Sequence, residues 1–371
     1  MATSKEIQAT PFAVAHPTEI IKDELKARGL TQRELAQRMD MQTSNLSRFL
    51  KGESITPAIA AKLEVALDIP AEFWLNLQAQ YEIDSRNIAV RDEQEQAAIN
   101  VEKMLSNIIN LPELYKRLGI NPSLFIQQKL DILKELLGFP VLEISSQSFA
   151  LQSCFKKNEK QGIDERNETT WLTLAFIDAR KNRPSETFKQ ENAQTAARQV
   201  AEAAHANQLS EAGIKHILDA NGIAYCVVPK LEKTPIDAAS MMVEGYPAVI
   251  TTHRYNDMSR LIFNVLHELG HIFMHMNQVN APVFVSSEYS YSRENKEEKE
   301  ANEFAENTLI PQETWRKMMA AKTISLSKQS ILRTLKQLSD NYKFDFNLVV
   351  WRYKHEFNQY DLYSAKAQKI V

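Results

Sequence analysis

The sequence predicts a mainly α-helical protein with a small β-sheet, an α+β fold made of several domains. The chain has 371 residues, which is too long for one ordinary hydrophobic core. Apolar residues recur at helical spacing over most of its length, and capping and stop signals separate the helices. Runs typical of β-strands are confined to the second half, at 223–228 and 248–252. Hydrophobic residues make up 44% and charged residues 25%, the composition of an ordinary globular protein.

The composition limits the location and the partners of the protein. Its net charge of −3 excludes a polycation, so any nucleic-acid surface must be local. The two cysteines, Cys154 and Cys226, are too few for a disulfide framework, and we expect them to be buried small hydrophobes in a reducing compartment. Residues 1–10 lack the apolar core of a secretory signal, and polar residues interrupt the most apolar stretch, 261–276. We therefore expect a cytoplasmic protein without a membrane span.

Changes in composition and in apolar periodicity divide the chain into five predicted segments. These are a tail (1–16), a helical domain with tight turns (17–78), a polar, helix-favouring middle region (79–205), a mixed helical and β segment (206–315) and a helical tail (316–371). Within the middle region, an alanine-rich stretch at 193–207 predicts a surface helix. In the C-terminal tail, the apolar residues of 346–356 predict a helix that covers the core of the preceding segment.

The turn and capping signals in 17–78 predict a helix-turn-helix. The predicted order is a first helix from the N-cap Thr18 to Arg28, a stop at Gly29, a capping box over 31–34, a turn at 39–41 and a third helix over 43–50. Asp40 stands where glycine is common in such turns, and aspartate tolerates the left-handed conformation. One small core can be filled by Leu35, Ala36, Met39, Leu46 and Phe49.

The third predicted helix keeps small polar and amide side chains on its outer side, the layout of a recognition helix that reads base edges and phosphates. The predicted DNA-binding residues are Gln32, Arg33, Gln42, Thr43, Ser44, Asn45, Ser47 and Arg48. Residues 17–78 carry 8 Lys/Arg against 9 Asp/Glu, so non-specific affinity should be modest. DNA binding would then depend on dimerisation and on a few well-placed contacts, such as those of Arg33 and Arg48. A helical protein-interaction domain is the alternative.

The strongest chemical signal is the sequence His267-Glu268-Leu-Gly-His271. In a helix, residues i and i+4 project from one face a turn apart, so two imidazoles can bind one ion. Glu268 points partly aside, where its carboxylate can accept the proton of a water that zinc has acidified. The apolar flanks predict a buried helix over 261–276, and buried histidines need partners. A pair of core histidines without a metal is the alternative.

A catalytic zinc site needs a third protein ligand, and the charged helix predicted over 294–309 offers six glutamates. The buried stripe of that helix is predicted to be Ala301, Phe304, Ala305 and Leu309. Glu298 extends this stripe inward and is the predicted third ligand, with Glu297 or Glu300 at its flank as alternatives. The side chains of Glu303 and Glu306 are predicted to face mostly away from the core.

His275 is a further candidate on the motif helix itself. It lies two turns from His267, roughly 12 Å along the helix axis, so one ion cannot bind both side chains. We expect it to interact with the helix dipole or to support a ligand.

Over 218–311 the chain resembles the ImmA/IrrE family of metallopeptidases. The matching features, in family order and spacing, are Gly222-Ile223, Val228-Pro229, Pro247-Ala-Val-Ile250, the motif at 267–271, and Glu298-Lys-Glu-Ala-Asn-Glu-Phe-Ala305 followed by Pro311. The resemblance implies a zincin-like domain with zinc on His267, His271 and Glu298 and with Glu268 as general base. It also implies cleavage of a partner repressor that carries a helix-turn-helix domain. The segment 264–266 departs from the family's usual Thr-Leu-Ala without touching these ligands.

Residues 16–78 resemble the HigA antitoxin branch of the xenobiotic-response-element repressors. The matching residues are His16-Pro17, Gly29-Leu30-Thr31-Gln32, Glu34-Leu35-Ala36, Ile55-Thr56-Pro57 and Pro70-Ala-Glu-Phe-Trp74-Leu-Asn. The resemblance implies dimeric binding to operator DNA and autoregulation beside a toxin gene.

Three functions fit these features. The first is a transcriptional regulator that binds double-stranded operator DNA as a homodimer and is also an active zinc endopeptidase, cleaving a regulatory protein such as a repressor. The second is a repressor or antitoxin of a toxin-antitoxin operon whose peptidase-like domain senses or binds, for example the cognate toxin, without turnover. The third is a metalloprotease that uses 17–78 only to recognise a partner. Glu268 favours the first, because a structural zinc needs no base, whereas the lack of a broad basic patch favours the third.

Overall fold

The structure is a computed structural model that describes residues 11–141, 164–254, 256–276, 283–287, 296–320, 327–357, 359, 362 and 370. These residues contain 15 helices and one four-stranded sheet, which confirms the predicted mainly helical α+β class. The chain divides into two compact units, Met1–Asn100 and Val101–Val371. Cys154 lies outside the described residues, and so does Glu294, the first of the six glutamates in the helix predicted over 294–309. Within the described ranges no helix combines the length and apolarity needed to cross a bilayer.

The first unit is all-helical. Its helices are α1 (Pro17–Ala27), α2 (Gln32–Arg38), α3 (Thr43–Phe49), α4 (Pro57–Leu67) and α5 (Ala71–Ser106), the last of which runs on into the second unit. The predicted core is confirmed, since each of its members is buried: Leu35, Ala36, Met39, Leu46 and Phe49. Trp74 of α5 is fully buried in the same cluster. This core fixes α2 and α3 as a helix-turn-helix pair.

The capping and turn signals predicted for the first unit are confirmed, with one correction at the start of α1. The Thr31 hydroxyl accepts from the backbone N–H of Glu34, and the Glu34 carboxylate accepts from that of Thr31, which completes the capping box. Asp40 adopts a left-handed φ of 46° in the turn. The N-cap of α1, however, is His16 and not Thr18, because the His16 ring accepts from the Thr18 backbone N–H. Pro17 then occupies the first helical position, where no backbone donor is needed.

The second unit consists of helices around a small sheet. Its further helices are α6 (Leu111–Leu118), α7 (Ile126–Leu137), α8 (Glu165–Lys181), α9 (Gln190–His205), α10 (Glu211–Ala220), α11 (Met258–His275), α12 (Lys296–Leu309), α13 (Gln312–Ala320), α14 (Lys328–Tyr342) and α15 (Phe346–Glu356). The strands are β1 (Ala224–Val227), β2 (Ile236–Val243), β3 (Tyr246–Thr251) and β4 (Phe284–Ser287).

The sheet order is β1-β3-β2-β4, with β1 parallel to β3 and the other two pairs antiparallel. β2 and β3 form a hairpin whose two-residue turn, Glu244-Gly245, has φ of 46° and 92°. Positive φ at both positions is the requirement of a tight turn between right-twisted strands. β2 was not predicted, because seven of its eight residues are buried and no alternation marks it in the sequence. Cys226 of β1 is buried, as predicted, and burial raises the pKa of its thiol to about 12.

Helix α11 lies in the hydrophobic core, packed against α9, α12 and the sheet. The helix predicted at 193–207 is present as α9, exposed on its outer side and buried on its inner face. The small side chains of α9 form a buried face against α11: Ala193, Ala196, Ala197, Val200, Ala201 and Ala204. Alanine is both a helix former and small enough for close packing, so composition alone does not separate a surface helix from a core helix. The predicted helix at 346–356 is present as α15 and shares this core.

Gly222, between α10 and β1, gives a test of this packing. It has a φ of +73°, and a Cβ at this position would lie 2.5 Å from the backbone nitrogen of Phe188. We predict that Gly222→Ala lowers the free energy of unfolding by about 3 kcal/mol or more, measured by urea denaturation, since backbone strain and a backbone clash add. Gly245→Ala is the control, because its φ is +92° but no atom lies within 4 Å of the added Cβ. Equal losses in the two variants would contradict the packing argument.

Candidate metal centre and recognition helix

The motif residues lie on α11 at the centre of the core. His267, Glu268 and His271 are all 0% exposed. The α-helical spacing brings the two imidazoles onto one face, with 3.0 Å between their Nε2 atoms. The Asp257 carboxylate caps this helix by accepting from the backbone N–H groups of Ser259 and Arg260. The histidine pair is thus held on a rigid, capped and buried element.

Glu298 of α12 completes a cluster with the two histidines. Its Oε2 lies 3.4 Å from His267 Nε2 and its Oε1 lies 3.5 Å from His271 Nε2. The close approach of the two helices depends on Gly270, where an added Cβ would meet the Cα of Ala301 at 3.2 Å. The structure thus brings together the three predicted metal ligands, and they are a group of donors that could hold one metal ion.

The donor set fits a zinc ion. Tetrahedral zinc with bonds of about 2.0–2.1 Å separates its ligand atoms by roughly 3.3 Å, close to the 3.0, 3.4 and 3.5 Å found here. Glu298 is only 7% exposed, and its Oε2 has no hydrogen-bond partner among the described residues. A buried carboxylate oxygen without a partner is costly, and a cation between the three side chains would remove that cost.

The pKa values of the cluster are shifted by burial and by the contacts of Glu298 with the two imidazoles. Burial disfavours the charged form of Glu298, but the two neighbouring imidazoles outweigh it and lower the pKa of this carboxyl to about 2. Burial lowers the pKa of His271 to about 4, so this ring is neutral at pH 7. Burial also lowers the pKa of His267, but the neighbouring Glu298 carboxylate outweighs burial, so the pKa of His267 is raised overall. A cation in the cluster would take the place of a proton on His267, since metal binding requires unprotonated imidazole.

The Nδ1 atoms of the two histidines, which face away from the cluster, have different partners. His267 Nδ1 donates to the Asn302 side-chain oxygen at 2.8 Å. His271 Nδ1 lies 3.1 Å from His275 Nδ1, and His275 Nε2 lies 3.0 Å from Glu300 Oε2. Such contacts at the remote nitrogen fix which ring nitrogen is left for a metal.

Glu268 is held by two serine hydroxyls from the sheet. Ser240 of β2 donates to its Oε2 at 2.6 Å, and Ser286 of β4 donates to its Oε1 at 2.5 Å. Burial raises the pKa of Glu268 to about 7, although the His267 charge and both hydroxyls oppose the rise. A carboxyl with a pKa near 7 can both accept and return a proton at neutral pH.

The other glutamates of α12 do not join the cluster. Glu297 and Glu303 are exposed. Glu300, an alternative third ligand in the sequence, instead contacts His275 and lies 3.5 Å from Lys296 Nζ. The expectation that Glu306 faces away from the core is wrong, because its carboxylate lies 2.7 Å from His355 Nδ1 of α15.

The predicted DNA-binding residues lie on the surface of the first unit. Ser47 is partly buried, and the others are exposed: Gln32, Arg33, Gln42, Thr43, Ser44, Asn45 and Arg48. The Arg48 guanidinium lies 2.9 Å from the Glu53 carboxylate, with both side chains more than half exposed. An exposed pair of this kind is weak, so Arg48 can exchange Glu53 for a phosphate.

Sequence reasoning missed Ser240 and Ser286, which donate to Glu268, and Asn302, which contacts His267. Asn302 could have been found, because it lies four residues after Glu298 and thus on the same helix face. The serines carried no signal. Ser240 belongs to the strand that the sequence did not reveal, and Ser286 follows a short apolar run whose pairing partner was unknown.

Comparison with known proteins identifies both parts of the chain. The helix-turn-helix family model matches residues 21–74, and the model described as IrrE N-terminal-like domain matches residues 225–343. The uncharacterized HTH-type transcriptional regulator YddM of Escherichia coli (strain K12) is 38% identical over 63 residues, which are 17% of this chain and 67% of that protein. Antitoxin HigA-1 of Vibrio cholerae is 37% identical over 71 residues, 19% of this chain and 68% of that protein.

The helix-turn-helix fold of the first unit and the buried His–Glu cluster of the second thus define a DNA-binding regulator with a peptidase-like domain. The chain belongs to the helix-turn-helix family of transcriptional regulators and carries an IrrE-like domain of the metallopeptidase type.

Gly270 gives a test of the cluster geometry. We predict that Gly270→Ala weakens zinc binding about tenfold, because the added Cβ must push α12 and Glu298 outward. Alanine is favoured over glycine in helices by about 1 kcal/mol, so a gain in helix stability must be separated from this effect. Gly213→Ala in α10 is the matched control, since its Cβ meets only ordinary contacts at 3.5 Å. Zinc affinity would be measured by competition with a chromophoric chelator. Unchanged affinity in Gly270→Ala would contradict the role of the close helix approach.

Proposed function

We propose that this regulator is also a zinc-dependent endopeptidase that hydrolyses a peptide bond in a regulatory protein. The observation that carries the proposal is the burial of a two-histidine, one-glutamate donor set beside a second glutamate, Glu268. A purely structural zinc site has four protein ligands, whereas a catalytic site has three and keeps one position open. The three donors on α11 and α12 match the second pattern.

The proposed roles are as follows: His267, His271 and Glu298 hold the ion, and Glu268 is the general base. Zinc bound there would polarise the substrate carbonyl as a Lewis acid and would lower the pKa of water towards neutral pH. Glu268 accepts a proton from the attacking water as the C–O bond forms, and then gives it to the amide nitrogen as the C–N bond breaks. A pKa near 7 suits both transfers, and the hydroxyls of Ser240 and Ser286 hold the carboxylate in place.

The proposed partners follow from the two parts of the chain. The exposed polar side chains of α2 and α3 support binding to double-stranded operator DNA, with a homodimer on a two-fold site. The proposed substrate is a repressor protein in the cytoplasm. The similarity to an antitoxin adds a cognate toxin as a second class of protein partner.

A second function is favoured by the surroundings of Glu268. This residue is fully buried, and both of its carboxylate oxygens already accept hydrogen bonds. A base that is fully buried reaches water only if the side chains around it move. The alternative is therefore a repressor or antitoxin whose peptidase-like domain binds or senses a partner without turnover, in line with the similarity to Antitoxin HigA-1.

Glu268→Gln separates the two functions. We predict that this variant keeps zinc and operator DNA binding but loses cleavage of the regulatory partner, because the amide cannot accept the proton of water. The amide still fits between Ser240 and Ser286, so the fold is retained. Cleavage would be followed by mass spectrometry after purified wild type or variant is mixed with candidate repressors. Cleavage that survives in the variant would contradict the assigned mechanism.

The recognition helix can be tested independently of the metal. We predict that Asn45→Ala and Arg48→Ala each weaken operator binding by roughly 1–3 kcal/mol, measured by fluorescence anisotropy, while zinc content stays unchanged. Both residues are exposed and outside the core, so their truncation leaves the fold intact. Lys62→Ala, whose ammonium contacts the Asp40 carbonyl, is the control for loss of one positive charge. Wild-type DNA affinity in both test variants would contradict the recognition role of α3.

A further inference from the structure

The end of α11 and the middle of α12 carry a second arrangement, which the proposed reaction does not use. His271, His275 and Glu300 are joined in a row, with 3.1 Å between the two Nδ1 atoms and 3.0 Å from His275 Nε2 to Glu300 Oε2. His275 is one helical turn beyond His271, so α11 itself brings the rings together. Glu300 reaches them from α12.

The chemistry of the row fixes the direction of its hydrogen bonds. An ionised carboxylate can only accept, so His275 Nε2 donates to Glu300. With His275 as the neutral imidazole, its Nδ1 is the acceptor and His271 Nδ1 donates to it, which is the arrangement that metal ligation through His271 Nε2 requires. The lone pair of His271 is therefore on Nε2, the atom that faces Glu298 and His267.

The ring of His271 is also held in orientation. Phe284 of β4 stacks on it with centroids 4.1 Å apart and an interplanar angle of 13°, and the His275 ring lies 5.6 Å from the same phenyl group. Stacking fixes the plane of the ring and the hydrogen bond at Nδ1 fixes its rotation within that plane. The other histidine of the cluster has a neutral amide, that of Asn302, at its Nδ1.

We propose that His275 and Glu300 are positioning residues that form a relay to His271, fixing its Nδ1–H tautomer and strengthening it as a metal ligand. The proposal rests on the proposed assignment of zinc to His267, His271 and Glu298. A carboxylate that accepts from a ligand histidine raises the basicity of that ligand, and loss of such a contact typically weakens metal binding 10–100-fold. Here the carboxylate acts through an intervening imidazole, so the two positioning residues work as one unit.

The test measures zinc affinity in the full chain by chelator competition for Glu300→Ala, His275→Ala and the double variant. Each single change is expected to raise the zinc Kd by about 10–100-fold. The double variant is expected to bind zinc no more weakly than His275→Ala, because Glu300 acts only through His275. Glu303→Ala is the matched control, since it removes an exposed glutamate from the same helix and should change the Kd less than about twofold.

A second readout reports on the tautomer directly. Nitrogen NMR of histidine-labelled, metal-free protein is expected to show His271 protonated on Nδ1 alone in the wild type and as a mixture of tautomers in Glu300→Ala. The proposal is overturned if Glu300→Ala and Glu303→Ala bind zinc equally well, if the effects of the two single changes add in the double variant, or if wild type binds no zinc. Circular dichroism excludes unfolding as the cause of a loss. Absence of any proteolysis would count against the proposed function only, because none of these readouts requires turnover.

Discussion

Three ionisable side chains meet in the hydrophobic core of the second unit, and the free-energy cost of burying them is the constraint on which the rest of the site depends. His267, His271 and Glu298 are almost completely buried, and one carboxylate oxygen has no hydrogen-bond partner in the described part of the chain. Burial of unpaired polar groups costs several kcal/mol, a large share of the roughly 5–15 kcal/mol by which a folded domain is stable. We propose that a metal ion shared by the three groups relieves this cost.

The surrounding structure can be understood from that constraint. Gly270 permits α12 to approach α11 closely enough for Glu298 to reach both imidazoles. The far sides of the rings are occupied by Asn302 and His275, which leave the Nε2 atoms for the cluster. The strands contribute hydroxyls to Glu268 and an aromatic ring to His271. Arg352 of α15 donates to the backbone carbonyl of Glu306 and thereby holds the C-terminal part of α12.

The sequence predicted the parts of the fold in which one face of an element is polar. The helix-turn-helix and the inward position of Glu298 follow from helical periodicity and capping, because these helices have distinct sides. The motif helix, which is buried all round, was found from its His–Glu spacing and its apolar flanks. Elements buried on both faces lose that signal. β2, for example, has no alternation.

The same distinction explains which site residues could be predicted. The spacing of His267 and His271 is a property of one helix, so the sequence contains it. The contacts of Ser240, Ser286 and Phe284 depend on the pairing of β2 with β4 and on the packing of both strands against α11. Neither the pairing nor the packing can be read from a single sequence, because the partners are distant along the chain and each serine is unremarkable in its own strand.

Whether the buried cluster holds one zinc ion can be tested by measuring the amount of zinc bound per chain. Zinc would be measured by atomic emission on purified wild type beside His271→Ala, Glu298→Ala and Glu297→Ala, the last altering an exposed glutamate next to the proposed ligand. We expect about one zinc per chain in wild type and in Glu297→Ala, and loss of zinc in the other two variants. No zinc in wild type after reconstitution, or zinc retained in Glu298→Ala, would contradict this expectation.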